Sequence, residues 1–145
     1  MKLSALFLIL SAITLAGCQS LTNTPDDSPE LYQQLGERKG IATIVEDLLF
    51  RIVEDDRINE QFQGIDVRKF HGHLTDQICQ LSGGPCTYTG RTMRESHADM
   101  NITNTQFNAL AENLIHAMEK NRVPVSAQNR LIERLVPLYP DIRNL

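Results

Sequence analysis

The chain has 145 residues, the length of one ordinary domain and too short for two. It carries 14 basic and 18 acidic side chains, which give a net charge of −4, and it has no long run of Lys or Arg. Because binding to nucleic acid needs a concentrated positive surface, this charge pattern argues against that class of partner.

The N-terminal segment, residues 1–17, has the pattern of an export signal. Lys2 gives it a positive start, and the apolar run over residues 3–15 is too short to span a bilayer comfortably. Leu15-Ala16-Gly17-Cys18 resembles a bacterial lipobox, in which the chain is cut before the cysteine and the cysteine takes lipid. The alternatives are an uncleaved anchor or an ordinary signal cut nearby. Gln19 favours an exported, periplasm-facing lipoprotein attached to the outer membrane.

Residues 18–29 form the next unit. They are mostly polar and proline-containing with no apolar period, which predicts a flexible tether. The folded domain is then expected to occupy residues 30–145. Its first helix runs over residues 30–35 and is ended by Gly36.

Apolar residues recur at helical spacing in four longer segments, and no strand-like alternation of useful length appears. We therefore predict an all-α domain. Asp66 caps the second long helix, Thr103 or Asn104 caps the third, and Pro124 lies in the first turn of the last. The stripes are Ile41, Ile44, Val45, Leu48, Leu49, Ile52 and Val53; Val67, Phe70, Leu74, Ile78 and Leu81; Phe107, Leu110, Ala111, Leu114, Ile115 and Met118; and Leu131, Ile132, Leu135 and Leu138.

A glycine-rich loop, Gly83 to Gly90, separates the second and third of these helices. It leads into a short segment that ends at a single histidine, His97. From residue chemistry alone, His97 is most simply a surface histidine at a helix end.

Motifs spread over residues 31–142 resemble those of the group I truncated hemoglobins. They are Leu31-Tyr32-Gln33-Gln34-Leu35-Gly36, Val45-Glu46-Asp47, Asp55-Asp56-Arg57, Phe62, Gly83-Gly84-Pro85, Tyr88-Thr89-Gly90, Met93 to His97, Val123-Pro124, Pro137-Leu138 and Pro140-Asp141-Ile142. The resemblance implies a two-over-two helical sandwich that holds heme b, with His97 as the proximal iron ligand. Phe62 then stacks on the heme, while Met93 and Ile102 line its proximal side. Tyr88 and Arg94 meet its propionates, unless that loop is simply solvated.

The distal side departs from the family pattern. Where the family commonly has a tyrosine and a glutamine that hydrogen-bond dioxygen, this chain has Leu49 and Leu74, and Phe70 lies nearby. High oxygen affinity by the usual route is therefore doubtful, because such a hydrogen bond is worth about 1 kcal/mol. His73 matches a histidine that binds iron as the sixth ligand in some cyanobacterial members. It is otherwise a solvent-facing residue near the propionates.

Two cysteines remain after Cys18. Export to an oxidising compartment allows a disulfide between Cys79, late in a helix, and Cys86, in the loop. Two reduced thiols are the alternative, and geometry decides between them.

The resemblance implies a heme protein that binds a diatomic gas such as oxygen, NO or CO. Whether it is an enzyme stays open, because NO dioxygenation also requires bound oxygen and a reductase partner. The competing class is a heme-free helical lipoprotein that uses the globin shell as an interaction module.

Overall fold

The computed structural model describes residues 30–143, and within them the secondary structure is helical. The α-helices are α1 (Glu30–Gln34), α2 (Glu37–Glu54), α3 (Val67–Leu81), α4 (Met93–His97), α5 (Asn104–Lys120) and α6 (Val125–Leu135). Two 3₁₀ helices span Asn59–Phe62 and Val136–Asp141. One isolated bridge pairs Ile102 with Arg143, and these residues form no sheet. The all-α prediction is confirmed.

The core lies where α2 packs against both α3 and α5, while α6 packs against α5 and α3. This gives a sandwich of two helix pairs, α2 with α3 and α5 with α6. Five of the seven residues of the predicted α2 stripe are buried, whereas Leu49 is half-buried and Val53 is exposed. Each large apolar side chain buried in this way contributes about 1.5–3 kcal/mol. The buried core residues of α2, α5 and α6 include Ile41, Ile44, Val45, Leu48, Ile52, Leu114, Met118 and Leu131.

The corner between α1 and α2 depends on two glycines. Gly36 has φ +79°, a left-handed conformation that glycine adopts without strain. Gly40 lies in the first turns of α2, where an added Cβ would overlap the carbonyl oxygen of Leu35. This close approach lets α2 begin at Glu37, four residues before its first buried side chain, Ile41.

Side-chain caps fix where α3 and α5 begin. Asp66 accepts a hydrogen bond from the Lys69 backbone N–H at 3.1 Å, as predicted for α3. Thr103 forms a capping box with Gln106 at the start of α5, which decides between the two predicted caps. Pro124 is the residue before α6 and not part of its first turn.

Polar contacts also fasten α2 to α5. Asp55, at the end of α2, accepts hydrogen bonds from Arg57 and, at 2.6 Å, from the side-chain amide of Asn113 on α5. The Arg57 guanidinium, and then Asn113, hold the pKa of Asp55 well below its usual range. Arg57 also pairs with Glu112. This network secures the end of α2 before the chain turns towards the site.

The predicted signal (residues 1–17), the lipidated Cys18 and the tether (residues 18–29) lie outside the described residues. Between residues 30 and 143, none of the helices combines the length and the apolarity needed to cross a bilayer.

Candidate functional site

A cavity of about 560 Å³ lies between α3 on one side and α4 and α5 on the other. The loop after α3 closes one edge and the C-terminal 3₁₀ segment closes another. Its volume lies within the range of about 300–1,000 Å³ that is typical of ligand pockets. The apolar residues that line it include Leu48, Ile58, Phe62, Ile65, Phe70, Leu74, Ile78, Met93, Met100, Ile102, Phe107, Leu110, Leu114, Ile132, Leu135, Leu138 and Ile142.

A second hollow, of about 400 Å³, lies at the end of α2. Its walls are charged and polar, and include Asp55, Arg57 and Asn113, which already bond to one another. A hollow of this kind is part of a structural network, so the apolar cavity is the better candidate site.

His97 is placed in the cavity wall by the short helix α4. Thr92 and Glu95 form a reciprocal capping box at the start of this helix, and the hydrogen bonds from Thr92 lower the pKa of Glu95. The Nδ1 atom of His97 lies 2.8 Å from the carbonyl oxygen of Met93. A carbonyl only accepts hydrogen bonds, so Nδ1 carries the proton and a neutral ring keeps its lone pair on Nε2. This is the tautomer that a metal-ligating histidine requires.

The opposite wall is one face of α3. Phe70, His73, Leu74 and Gln77 lie at positions i, i+3, i+4 and i+7 of one helical face, and all line the cavity. The ring of Phe70 packs edge-on against Phe62, with 5.5 Å between centroids. The wall is therefore mostly apolar, with one imidazole and one amide.

His71 does not share this face. Its Nε2 lies 2.9 Å from the carbonyl oxygen of Ala42 on α2, so His71 fastens the two helices together. His116 is exposed and pairs with Glu119.

The glycine-rich loop contributes Tyr88 to the cavity. The Tyr88 backbone N–H donates to Oε1 of Gln80 at 2.7 Å, and its hydroxyl donates to the carbonyl oxygen of Arg91 at 2.7 Å. Its ring lies edge-on to His73 at a centroid distance of 6.0 Å. A Cβ at Gly90 would overlap the Tyr88 ring, so glycine is required there.

Cys79 and Cys86 form a disulfide, with their Cα atoms 5.7 Å apart. This separation is usual for such a bridge. The structure thus selects the bridged alternative over two free thiols, and the bridge joins the last turns of α3 to the loop.

Most of the predicted site residues line the cavity together: His97, His73, Phe62, Phe70, Leu74, Met93, Tyr88 and Ile102. The placement of Leu49 was wrong. Neighbouring residues on a helix point about 100° apart, and it is Leu48, on the buried stripe, that reaches the cavity.

Arg94 was also misplaced. Its guanidinium pairs with Asp141 at 2.7 Å, outside the cavity lining. It therefore joins α4 to the C-terminal 3₁₀ segment and does not reach into the site. The positive charge predicted to meet a heme propionate is thus paired with the Asp141 carboxylate.

The cavity residues that the sequence did not predict include Leu48, Lys69, Gln77 and Arg91. Lys69 and Gln77 lie four residues before and after His73, so extending the cavity face by one turn each way would have found them. Lys69 and Arg91 are exposed, which places two cations at the rim. Gln77 donates from its side chain to the sulfur of Met93 at 3.2 Å and so links α3 to α4.

The residues present fit a heme. A flat apolar macrocycle needs an apolar cavity, its iron needs an imidazole with a free Nε2, and its two carboxylates need cations at a solvent-exposed rim. The lining supplies the first, His97 the second, and Lys69 with Arg91 the third.

This sandwich, with a histidine presented to an apolar cavity between its helices, defines a globin. Residues 30–144 match the family model described as bacterial-like globin. The group 1 truncated hemoglobin GlbN of Nostoc sp. (strain MUN 8820) is 31% identical over 114 residues, which cover 79% of this chain and 97% of that one. The chain belongs to the group 1 truncated hemoglobins, and the predicted family resemblance is confirmed.

Solved structures agree with this assignment. The truncated hemoglobin from Tetrahymena pyriformis, in its Fe(III) form, gives a TM-score of 0.77 at 26% identity, covering 79% of this chain and 98% of that chain. The 2/2 hemoglobin from Synechococcus sp. PCC 7002, in the cyanomet state with covalently attached heme, gives a TM-score of 0.63 at 28% identity. It covers 73% of this chain and 87% of that chain.

Proposed function

We propose that this protein binds heme b in the cavity described above and uses it to bind a diatomic ligand such as oxygen, NO or CO. Family membership supports heme-based ligand binding in general. The observation that carries the proposal for this chain is the state of His97, whose Nδ1 proton is engaged by Met93 and whose ring lies in the wall of an apolar cavity.

His97 is the proposed proximal ligand. The Met93 carbonyl fixes both the tautomer and the ring orientation, so little rotamer entropy remains to be lost when the ring binds iron. Heme, when bound, supplies the iron at which a diatomic ligand is held. Apolar side chains such as Ile102 and Leu110 exclude water from this part of the cavity.

Lys69 and Arg91 are the proposed partners of the heme carboxylates. Both line the cavity and both are exposed, so their charges lie at its rim. Arg94 is excluded from this role because it pairs with Asp141. Tyr88 was also predicted to meet the propionates. Its hydroxyl instead donates a hydrogen bond to the Arg91 carbonyl. We therefore assign it to packing against His73.

The distal wall is proposed to bind ligands without the usual hydrogen-bond donors. Leu48, Phe70 and Leu74 present carbon atoms only, so a polar ligand gains no hydrogen bond from them. His73 lies in the same wall, half-buried, and is the side chain there whose nitrogen suits iron. We propose that His73 takes the sixth position in the resting protein, so that external ligands compete with it.

A role for His73 has a direct test. We expect His73→Ala to change the ferric and ferrous absorption spectra from a six-coordinate to a five-coordinate pattern and to speed CO binding. The matched control is His116→Ala, whose imidazole is exposed and paired with Glu119. Spectra of His73→Ala identical to those of the parent chain would contradict six-coordination.

The cellular setting belongs to the same proposal. The lipobox-like residues 15–18 and the polar segment that follows support a globin tethered through Cys18 in the cell envelope, at the outer membrane and facing the periplasm. Mass spectrometry of Cys18 in the native host distinguishes a lipidated terminus from an ordinary cleavage site.

Two alternatives compete with simple ligand binding. NO dioxygenation requires stably bound oxygen and a reductase, and the lack of donors on Leu48, Phe70 and Leu74 weakens it. A heme-free interaction module requires that the cavity stay empty. Titrating the purified chain with hemin separates the heme-free module from the two heme-dependent functions, and we expect a Soret band that saturates at one heme per chain. Absence of a saturable band would favour the heme-free module.

A further inference from the structure

The segment from Gly83 to Thr92 joins the two walls of the site. It contributes Tyr88, Thr89, Gly90 and Arg91 to the cavity lining and leads directly into α4, the helix of His97. Residues 84–92 have no helix or strand, so no regular backbone ladder holds them in place. The position of this wall therefore depends on individual ties.

One disulfide and three hydrogen bonds hold the segment to the end of α3, and the first of these hydrogen bonds runs from the Gly83 N–H to the Gln80 carbonyl at 3.1 Å. The disulfide joins Cys86 to Cys79, which is fully buried. The Gly84 N–H donates to the Cys79 carbonyl at 2.8 Å, and the Tyr88 N–H donates to the Gln80 side chain at 2.7 Å. A Cβ at Gly84 would meet the Cys79 sulfur at 2.7 Å, so the chain passes directly over the bridge.

The disulfide is the covalent bond among these ties, and Cys86 lies two residues before Tyr88, whose side chain lines the cavity. Tyr88 rests its ring against His73, and its hydroxyl holds the Arg91 carbonyl. One bridge thus fixes an aromatic wall residue, a cation at the rim and the approach to His97. Breaking it leaves three hydrogen bonds to the end of α3, and of these only the one from Tyr88 lies beyond Gly84.

We propose that the Cys79–Cys86 disulfide is a redox-controlled tie that holds this wall against α3 and thereby sets how tightly the cavity retains heme. The inference rests on the proposed function, since it concerns the same site. Cys79 and Cys86 act as positioning residues, because they work through Tyr88 and Arg91.

The chemistry requires a dithiol reductant. One thiolate of the reductant attacks the sulfur of Cys86, which is half-buried, and Cys79 departs as a thiolate and takes up a proton. The second thiol of the reductant then displaces Cys86 and closes a disulfide within the reductant. The protein gains two electrons and two protons, the dithiol loses them, and the iron takes no part.

The test compares heme loss from two redox states of one chain. The full chain with Cys18→Ser, which removes the third cysteine, is loaded with hemin and either kept oxidised or reduced with dithiothreitol and desalted without air. Transfer of ferric heme to an excess of a competing apoglobin is then followed by absorption. We expect the reduced form to lose heme on the order of ten times faster, a modest share of what such a bridge is worth.

Variants separate the bridge from other effects of the reductant. Cys86→Ser leaves the buried Cys79 in place and should release heme as fast as the reduced chain, with no further response to dithiothreitol. Tyr88→Ala should also speed release, and Tyr88→Phe, which keeps the ring against His73 but loses the hydrogen bond to the Arg91 carbonyl, should speed it less.

A readout that does not need heme accompanies these rates. Trypsin should cut after Arg91 more quickly in the reduced chain and in Cys86→Ser than in the oxidised parent. Equal heme release in the two redox states would overturn the inference, whatever the trypsin result. A chain that takes up no hemin would instead contradict the proposed function. In that case, equal rates of cleavage after Arg91 in the oxidised and reduced chains would also overturn the proposal that the disulfide holds this wall in place.

Discussion

The wall that carries His97 and the wall that carries His73 are built on helices of very different length. α4 has five residues and is held by a capping box, by the Arg94–Asp141 ion pair and by the contact between Gln77 and Met93. α3 has fifteen residues and is held by buried packing against α2, by its Asp66 cap and by His71. The proximal wall thus depends on a few polar contacts that aim one ring. The distal wall depends on a long apolar face on which single side chains can change.

Removing the imidazole of His97 should have the largest effect on the rate of heme loss. We expect His97→Ala to speed heme loss on the order of 100-fold or more, because it removes the side chain proposed to bind the iron. His116→Ala, with the same chemical change on the surface of α5, should leave the rate unchanged. Heme transfer to a competing apoglobin measures both, and equal rates in the two variants would show that His97 is not the anchor.

Adding a hydrogen-bond donor to the wall formed by α3 should slow the release of bound oxygen. We expect Leu74→Gln to slow oxygen dissociation by about fivefold, since one hydrogen bond is worth about 1 kcal/mol. Leu74→Met, which changes shape but supplies no donor, is the control. Flash photolysis or stopped-flow mixing gives the rates. No difference between Gln and Met would show that position 74 does not face the bound ligand.

The two cations at the rim should have a smaller effect. We expect Lys69→Ala and Arg91→Ala each to speed heme loss by about two- to fivefold, as is usual for exposed ion pairs. The effect should shrink in high salt because exposed charges are screened. Lys39→Ala, an exposed lysine that does not line the cavity, is the control. A salt-independent change would indicate lost packing and not lost charge.

The network of Asp55, Arg57 and Asn113 at the end of α2 should affect the stability of the fold and leave both walls of the cavity unchanged. Its effect has a definite sign with pH. Because the pKa of Asp55 is lowered in the folded protein, its stabilisation is present above the ordinary carboxyl pKa of about 3.9 and is lost as pH falls below it.

We therefore expect Asp55→Asn to lower Tm at pH 7, with the difference from the parent shrinking below about pH 3.9. The heme spectrum at pH 7 should not change. Asp56→Asn, at the exposed neighbouring position, serves as the control. A Tm difference that stays constant from pH 7 to pH 3 would contradict the linkage.

Sequence patterns predicted the helices well because apolar periodicity and capping residues act locally. Asp66 and Thr103 cap helices as expected, and five of the seven predicted stripe residues of α2 are buried. The prediction for His97 came from a family motif, since nothing in its own chemistry separates it from a surface histidine. Its hydrogen bond to Met93 is the geometric detail that the motif did not contain.

The rim and the exact distal lining were harder to predict because they depend on tertiary contacts. Arg94 and Arg91 are three residues apart and chemically identical, yet Asp141, 47 residues further on, occupies only the first. Leu48 and Leu49 differ only by their angle about the helix axis. Neither choice can be made without the helix orientation and the position of the C-terminal 3₁₀ segment.

The most direct measurement of the central claim is rescue by free imidazole. His97→Gly and His73→Gly are loaded with hemin, and their absorption spectra are recorded before and after imidazole is added. We predict that His97→Gly binds heme weakly and has an altered Soret band. Added imidazole should restore a histidine-ligated spectrum and slow the loss of heme from this variant. His73→Gly should retain heme without imidazole. A His97→Gly spectrum identical to that of the parent, together with loss of heme from His73→Gly, would contradict the assignment of the two walls.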